Sequence, residues 1–201
     1  MSETAYLLET AYTEIRYTFC MGLKNRIVPD GLYYLTMTVV DWVDVFTRPT
    51  YKHIIVDTLK FCQENKGLKL YAWCLMSNHL HIIAAADEGK NLSDILRDFK
   101  GYTSRKIVTA IQEEPESRRQ WMLHRFEFSA KPNPKVRHYK LWQDGNEAKE
   151  IHSNTFLDQK LEYIHQNPVR AEWVDEPEHY RYSSAANYAN LPGLLPIEFP
   201  D

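Results

Sequence analysis

The chain lacks several features that would class it at once. No apolar run approaches the ~18 residues a membrane-spanning helix needs, so no membrane partner is expected. The opening stretch MSETAYLLETAYTEIRY has an early acid and no basic-then-apolar layout, which argues against a secretory signal. Cysteine is scarce. Cys20, Cys62 and Cys74 form an odd set without metal-type spacing, and they are expected to be reduced, mostly buried thiols of a cytoplasmic protein. Internal repeats and low-complexity stretches are missing. Net positive charge, the usual mark of a nucleic-acid binder, is missing as well: the formal charge is -3.

What is present is a core and an uneven charge. Of the 201 residues, 44% are apolar and 13% aromatic, enough for one domain with extensions. Between Arg97 and Lys140 stand eleven basic residues against five acids, whereas residues 144–201 carry eleven acids against four bases. A basic middle and an acidic tail can give a positive face to an acidic protein, or can be no more than solvated helix faces.

The order of elements follows from pattern. Leu32 to Trp42 is aromatic and β-branched and predicts a buried strand after the Pro29-Asp30-Gly31 turn. A helix opens near Pro49 and ends at Lys66-Gly67. Leu68 to Met76 predicts a second strand, Ser77-Asn78 a tight turn, and His79 to Ala86 a third strand antiparallel to the second. Asn91 or Ser93 caps a long helix with a stripe of Ile95, Leu96, Phe99, Ile107, Val108 and Ile111. Residues 113–135 predict a short helix and a loop, and Val136 to Gln143 a fourth strand. Ser153 or Asn154 caps a helix that Pro168 stops. A short helix over Ser-Ser-Ala-Ala-Asn-Tyr follows, and residues 5–20 have patchy helical spacing. This order, strand–helix–strand–strand–helix–strand, predicts an α+β fold with a ferredoxin-like split βαβ antiparallel sheet.

The stretch Met76-Ser77-Asn78-His79-Leu80-His81-Ile82-Ile83 carries the chemistry. Residues i and i+2 of a strand share a face, so His79 and His81 project together while Leu80 and Ile82 face away. Two neutral imidazoles on one face are half of a divalent-metal site; ordinary strand histidines are the alternative. In the helix before Pro168, Tyr163 and Asn167 are spaced i, i+4 and lie one above the other. That places a phenol beside an amide oxygen, or simply an edge aromatic beside a helix-ending residue.

The motifs together resemble a family. MSNHLHII is similar to the histidine–hydrophobe–histidine motif of HUH single-strand DNA endonucleases. LEYIHQNPVRAEWV followed by PEHYRYSSA resembles the signature of REP-associated tyrosine transposases, and LWQDG resembles their tryptophan–glutamine step. Ser77 and Glu172 stand where that family usually has proline and glycine. The resemblance runs from about Leu32 to Tyr188. It implies a catalytic domain over residues 28–190, with an extension at 1–27, a tail at 191–201 and a C-terminal helix bearing the tyrosine.

The resemblance further implies that His79, His81 and Asn167 hold Mg²⁺ or Mn²⁺ and that Tyr163 is the nucleophile. The substrate would be single-stranded DNA beside a palindromic hairpin, cut through a 5′-phosphotyrosine by a monomer or homodimer. DNA contacts are expected from Lys100, Arg105, Lys106, Arg118, Arg119, Arg125, Lys135 and Arg137, with Trp121, Tyr139 or Trp142 as candidate stacking residues. For Trp142 a core position is expected. Competing readings are a DNA-binding descendant that has lost cleavage, an unrelated metal-dependent hydrolase that tolerates Tyr163→Phe, and a purely structural protein.

Overall fold

A computed structural model describes residues 27–131 and 138–200. The helix expected over 5–20 and Cys20 therefore lie outside the described residues. The elements are β1 (Tyr33–Thr38), α1 (Pro49–Lys66), β2 (Leu68–Leu75), β3 (His79–Ala86), α2 (Leu92–Glu113), α3 (Arg119–Ala130), β4 (Lys149–Glu150), α4 (Asn154–Arg170) and α5 (Ala185–Tyr188). The sheet order is β2-β3-β1-β4, and every pair is antiparallel. Strand β3 is thus inserted between β1 and β2, which is the ferredoxin-like split βαβ arrangement.

Local chemistry sets most boundaries as expected. Pro49 starts α1, and Gly67 ends it in the left-handed region at φ 76°, a conformation glycine adopts without strain. Of the alternatives for the later caps, Asn91 caps α2 by accepting from the Ser93 N–H, and Ser153 caps α4 by accepting from the Phe156 N–H.

The two sheet faces are covered differently. Leu35, Met37, Trp73, Leu80 and Ile82 pack with Ile55 and Leu59 of α1 and Ile95, Phe99 and Ile107 of α2. Tyr34, Ala72, Cys74 and Ile83 pack on the opposite face with Leu157 and Ile164 of α4. An irregularity in the β2–β3 register between Leu70 and Ala72 reverses the alternation, so Leu68, Leu70, Trp73 and Leu75 all reach the same core. The outer edge of β2 is covered by the chain's later part: Leu75 N–H donates to the Tyr182 carbonyl, and Ser184 N–H to that of Trp73. Cys62 and Cys74 are buried and free, and burial pushes both thiols above the ordinary range.

Three expectations are corrected. The fourth strand is Lys149–Glu150, paired with Tyr34 and Tyr33, not residues 136–143. Residues 132–137 lie outside the described residues, and the 141–146 stretch makes only one bridge, Val39 to Trp142. The reason is that Trp142 drops into the core, where its Nε1–H donates to Thr103 Oγ1 at 3.0 Å. The carbonyls of Gln143 and Gly145 turn to the Lys100 ammonium at 2.8 Å each. Strand β1 ends at Thr38 rather than Trp42, because Asp41 and Trp42 have φ of 52° and 54°.

Pro168 does not stop α4, which continues to Arg170. Proline lacks only the donor to the Ile164 carbonyl, and one missing bond in the last turn is tolerated. The chain turns out at Glu172, φ 57°, where Glu172 N–H meets the Val169 carbonyl and Trp173 N–H that of Pro168. A left-handed non-glycine residue is strained by roughly 1 kcal/mol. Glu172→Gly is therefore expected to raise stability by about that amount, offset in part by glycine's looser unfolded chain. Urea unfolding checks it; a lower midpoint would show that the turn is not strained.

His165 on α4 is buried, 9% exposed, with Nε2 at 2.9 Å from Ser184 Oγ. Burial lowers its pKa to about 4. The sign follows: the folded state holds this imidazole neutral, so its stabilising contribution is complete above the unfolded value near 6.5 and is lost as pH falls towards 4. The loss amounts to roughly 3 kcal/mol at most. Unfolding free energy of the wild type should fall more steeply between pH 6.5 and 4 than that of His165→Asn; parallel curves would refute the assignment.

Candidate active site

The site lies on the α4 side of the sheet, at the end of β3 next to the Ser77-Asn78 turn. Register places Thr38 opposite His79 and Thr36 opposite His81. The two imidazoles share this face with ring centroids 4.6 Å apart, while Leu80 and Ile82 point into the core beneath α1 and α2. From α4, Tyr163 brings its ring to 5.5 Å from that of His81 and 6.2 Å from that of Tyr34. Tyr163 is 38% exposed. The structure thus joins His79, His81 and Tyr163 from segments some eighty residues apart.

Hydrogen bonds fix how the imidazoles are presented. His79 Nδ1 lies 2.6 Å from Asn78 Oδ1. The Asn78 amide is oriented by its Nδ2, which donates to the Trp42 carbonyl and to Asp44 Oδ1. An amide oxygen only accepts, so His79 Nδ1 carries the proton and Nε2 keeps a lone pair. His81 Nδ1 lies 3.0 Å from both the Tyr34 hydroxyl and Thr36 Oγ1. Its Nε2 is buried without a hydrogen-bond partner. A buried, unsatisfied N–H is expensive, so the proton belongs on Nδ1, facing the hydroxyls. Burial, with the neighbouring His79 and Lys160, lowers the His81 pKa to about 3, and burial lowers that of His79. Both rings are neutral at pH 7 and offer Nε2, the state that ligates a metal.

Asn167 lies one turn beyond Tyr163, and its Nδ2 donates to the Tyr163 carbonyl at 2.7 Å, leaving Oδ1 as the atom a cation could use. Among the described residues, no group of three or more His, Cys, Asp or Glu side chains is arranged to hold a metal ion.

Two cations flank the tyrosine. Lys160 Nζ sits 5.6 Å from the Tyr163 ring centre and 5.0 Å from that of Tyr34; burial and the nearby Lys149 lower its pKa. Arg170 Cζ lies 5.3 Å from the Tyr163 ring centre. Sequence reasoning missed both, although Lys160 at i−3 and Arg170 at i+7 from Tyr163 share its helix face. Tyr34 and Thr36 were also missed, and here no sequence signal existed, because only the β1–β3 register brings them to His81.

The basic residues expected to meet DNA divide into groups. Lys100 holds the carbonyls of Gln143 and Gly145, Arg118 holds those of Asp44 and the Thr47 hydroxyl, and Arg119 holds the carbonyls of Ile111 and Glu114. Burial lowers the Lys100 pKa to about 8. Arg125 pairs with Asp41 at 3.5 Å. Arg105 and Lys106 are exposed on α2, in the layer across the sheet from Tyr163. Lys135 and Arg137 lie outside the described residues. Trp142 is core, as expected, and Trp121 is half exposed.

The comparisons agree with this architecture. The family described as Transposase IS200 like matches residues 30–131, just over half of the chain, and the chain belongs to that family of DNA-processing transposases. A solved structure of a REP-associated tyrosine transposase bound to a REP hairpin has the same fold, at TM-score 0.56 and 16% identity, covering 89% of this chain and 93% of that one. Lower in structural similarity are a candidate transposase from Deinococcus radiodurans R1, at TM-score 0.34 and 18% identity over 71% of this chain and 95% of that one, and a bacterial tRNA(His) guanylyltransferase-like protein in complex with GTP, at 0.40 and 10% over 81% and 74%. No curated protein matches the sequence. Among the described residues, no helix is long and apolar enough to cross a membrane.

Proposed function

We propose that this transposase-family protein is a tyrosine endonuclease and strand transferase acting on single-stranded DNA beside a hairpin. The observation that carries the reading is the Tyr163 ring 5.5 Å from that of His81, which itself neighbours His79 and has a buried Nε2 with no partner in the protein. A divalent cation, Mg²⁺ or Mn²⁺, bound by His79, His81 and Asn167 would neutralise the phosphate oxygens and orient the scissile group.

The protein's own residues supply the rest. Tyr163 Oη attacks phosphorus as the bond to the 3′-oxygen breaks. The phenol proton goes to solvent, the departing oxygen takes one up, and a 5′-phosphotyrosine and a free 3′-hydroxyl result. Lys160 and Arg170, on either side of Tyr163, favour negative charge on its oxygen and on the phosphate. Tyr34 and Thr36 hold His81 in orientation, as Asn78 holds His79. The ester conserves the bond energy, so attack by another 3′-hydroxyl rejoins strands without ATP.

The hairpin rests on the solved relative, which holds one. Arg105 and Lys106, across the sheet from the cut, suit the phosphates of a hairpin arm, with Lys135 and Arg137 kept as further candidates. Lys100, Arg118 and Arg119 would act on DNA through the backbone segments they tie down. The protein works on DNA in the cytoplasm as a monomer or homodimer.

The test is a denaturing gel of protein incubated with labelled hairpin DNA flanking its own gene. A slow-migrating covalent adduct with Mn²⁺ or Mg²⁺, absent with EDTA, is expected. Tight binding without an adduct, for several flanking hairpins and both metals, favours the DNA-binding descendant instead.

A further inference from the structure

The turn that follows β1 is built at an energetic cost. Asp41 and Trp42 are consecutive non-glycine residues at φ 52° and 54°, a left-handed conformation that is strained for residues with a side chain. The surroundings impose it. Val39 N–H donates to the Asn78 carbonyl, Val40 N–H to that of Leu141, Trp42 N–H to that of Val39, and Val43 N–H to that of Val40. Asn78 Nδ2 grips the Trp42 carbonyl, and Arg125 from α3 holds Asp41.

The strained turn does not bury the indole. Trp42 is 62% exposed, the most exposed large hydrophobic side chain among the described residues. Its ring stands edge-on to His79, 6.1 Å between centroids. The same Asn78 side chain that fixes this turn also fixes His79, so the indole is held in register with the histidine pair. The ring contacts run in series from Trp42 to His79, His81 and Tyr163. The nucleophile is at one end of the series and the indole at the other.

We infer that Trp42 is a stacking platform for the base of the nucleotide on the 5′ side of the cut, the one whose 3′-oxygen departs. This rests on the tyrosine endonuclease reading. In phosphoryl transfer the entering and departing oxygens lie roughly in line through phosphorus. With the phosphate at the histidines and Tyr163 entering from the His81 side, the departing nucleotide lies towards His79 and Trp42. An exposed indole offers that unpaired base a flat apolar surface, and a base held there after cleavage keeps its 3′-hydroxyl in place for the reverse reaction. Strain in the turn preorganises the indole so that little ordering accompanies binding.

The test removes the base and the indole separately. Adduct formation is timed with a hairpin substrate whose nucleotide 5′ to the mapped cut is either intact or abasic, using wild type, Trp42→Phe and Trp42→Ala. The abasic change is expected to lower kcat/KM of the wild type about tenfold. Trp42→Ala should lose a similar factor on the intact substrate and little more on the abasic one, while Trp42→Phe keeps most of the activity. Rejoining by Trp42→Ala should fall relative to cleavage, because the 3′-hydroxyl strand escapes. An abasic site without effect in the wild type, or penalties that multiply in full in Trp42→Ala, overturns the inference while leaving the endonuclease in place. No adduct with the intact substrate overturns the endonuclease reading, and this inference with it. The wild-type abasic comparison stands even if Trp42→Ala does not fold.

Discussion

Tyr163→Phe is expected to abolish the covalent protein–DNA adduct, a loss of at least roughly 10³-fold, while leaving the protein folded and bound to DNA. The ring of Tyr163 makes its contacts with Tyr34, His81, Lys160 and Arg170 through carbon faces and edges, and phenylalanine retains these. The position is 38% exposed, so the stability change should stay within about 0.5 kcal/mol. A retained hairpin affinity with no adduct separates the lost nucleophile from a lost fold. The competing hydrolase makes the opposite prediction, that cleavage persists and turns over repeatedly without a covalent intermediate. Undiminished cleavage by Tyr163→Phe would rule out the phosphotyrosine mechanism.

The second large effect is expected at His81. Its Nε2 is buried with no hydrogen-bond partner in the protein, a desolvation cost that a bound cation would relieve. Mn²⁺ should therefore stabilise the wild type against unfolding, by about 2.7 kcal/mol at a concentration one hundred times the dissociation constant. His81→Ala removes a proposed metal ligand and leaves the Tyr34 and Thr36 hydroxyls without the ring they orient. Both the metal-dependent stabilisation and metal-dependent cleavage should be lost, the latter by at least roughly 10²-fold. Thermal unfolding with and without Mn²⁺ reads the first effect and adduct formation the second. An equal Mn²⁺ shift in wild type and His81→Ala would place the metal elsewhere.

Much of the frame was legible because local rules carry it. Alternation within HLHII put His79 and His81 on one face and Leu80 and Ile82 on the other, and β3 obeys it. Helical spacing put Tyr163 on a flank of α4 clear of the core residue Ile164. Pattern failed where a distant group overrode it. The alternation of VRHYKLWQ suggests a strand, but the Lys100 ammonium takes the carbonyls of Gln143 and Gly145, and Thr103 takes the indole of Trp142. The basic count of the middle segment was real, yet Arg118 and Arg119 point their guanidinium groups at nearby carbonyls.

By itself the sequence determined the periodic and short-range properties of this protein: the element order, the shared face of the two histidines, and the stacking of Tyr163 over Asn167 along one helix. These depend on backbone geometry that repeats every two or 3.6 residues. Only the tertiary structure decided which partners meet across long stretches of chain. The β1–β3 register carries Tyr34 and Thr36 to His81, α4 brings Tyr163, Lys160 and Arg170 against that face, and the strained turn at Asp41 and Trp42 sets an indole beside His79. Those contacts arise when whole layers pack, because the burial that drives packing is non-directional and leaves no mark in any short window of residues.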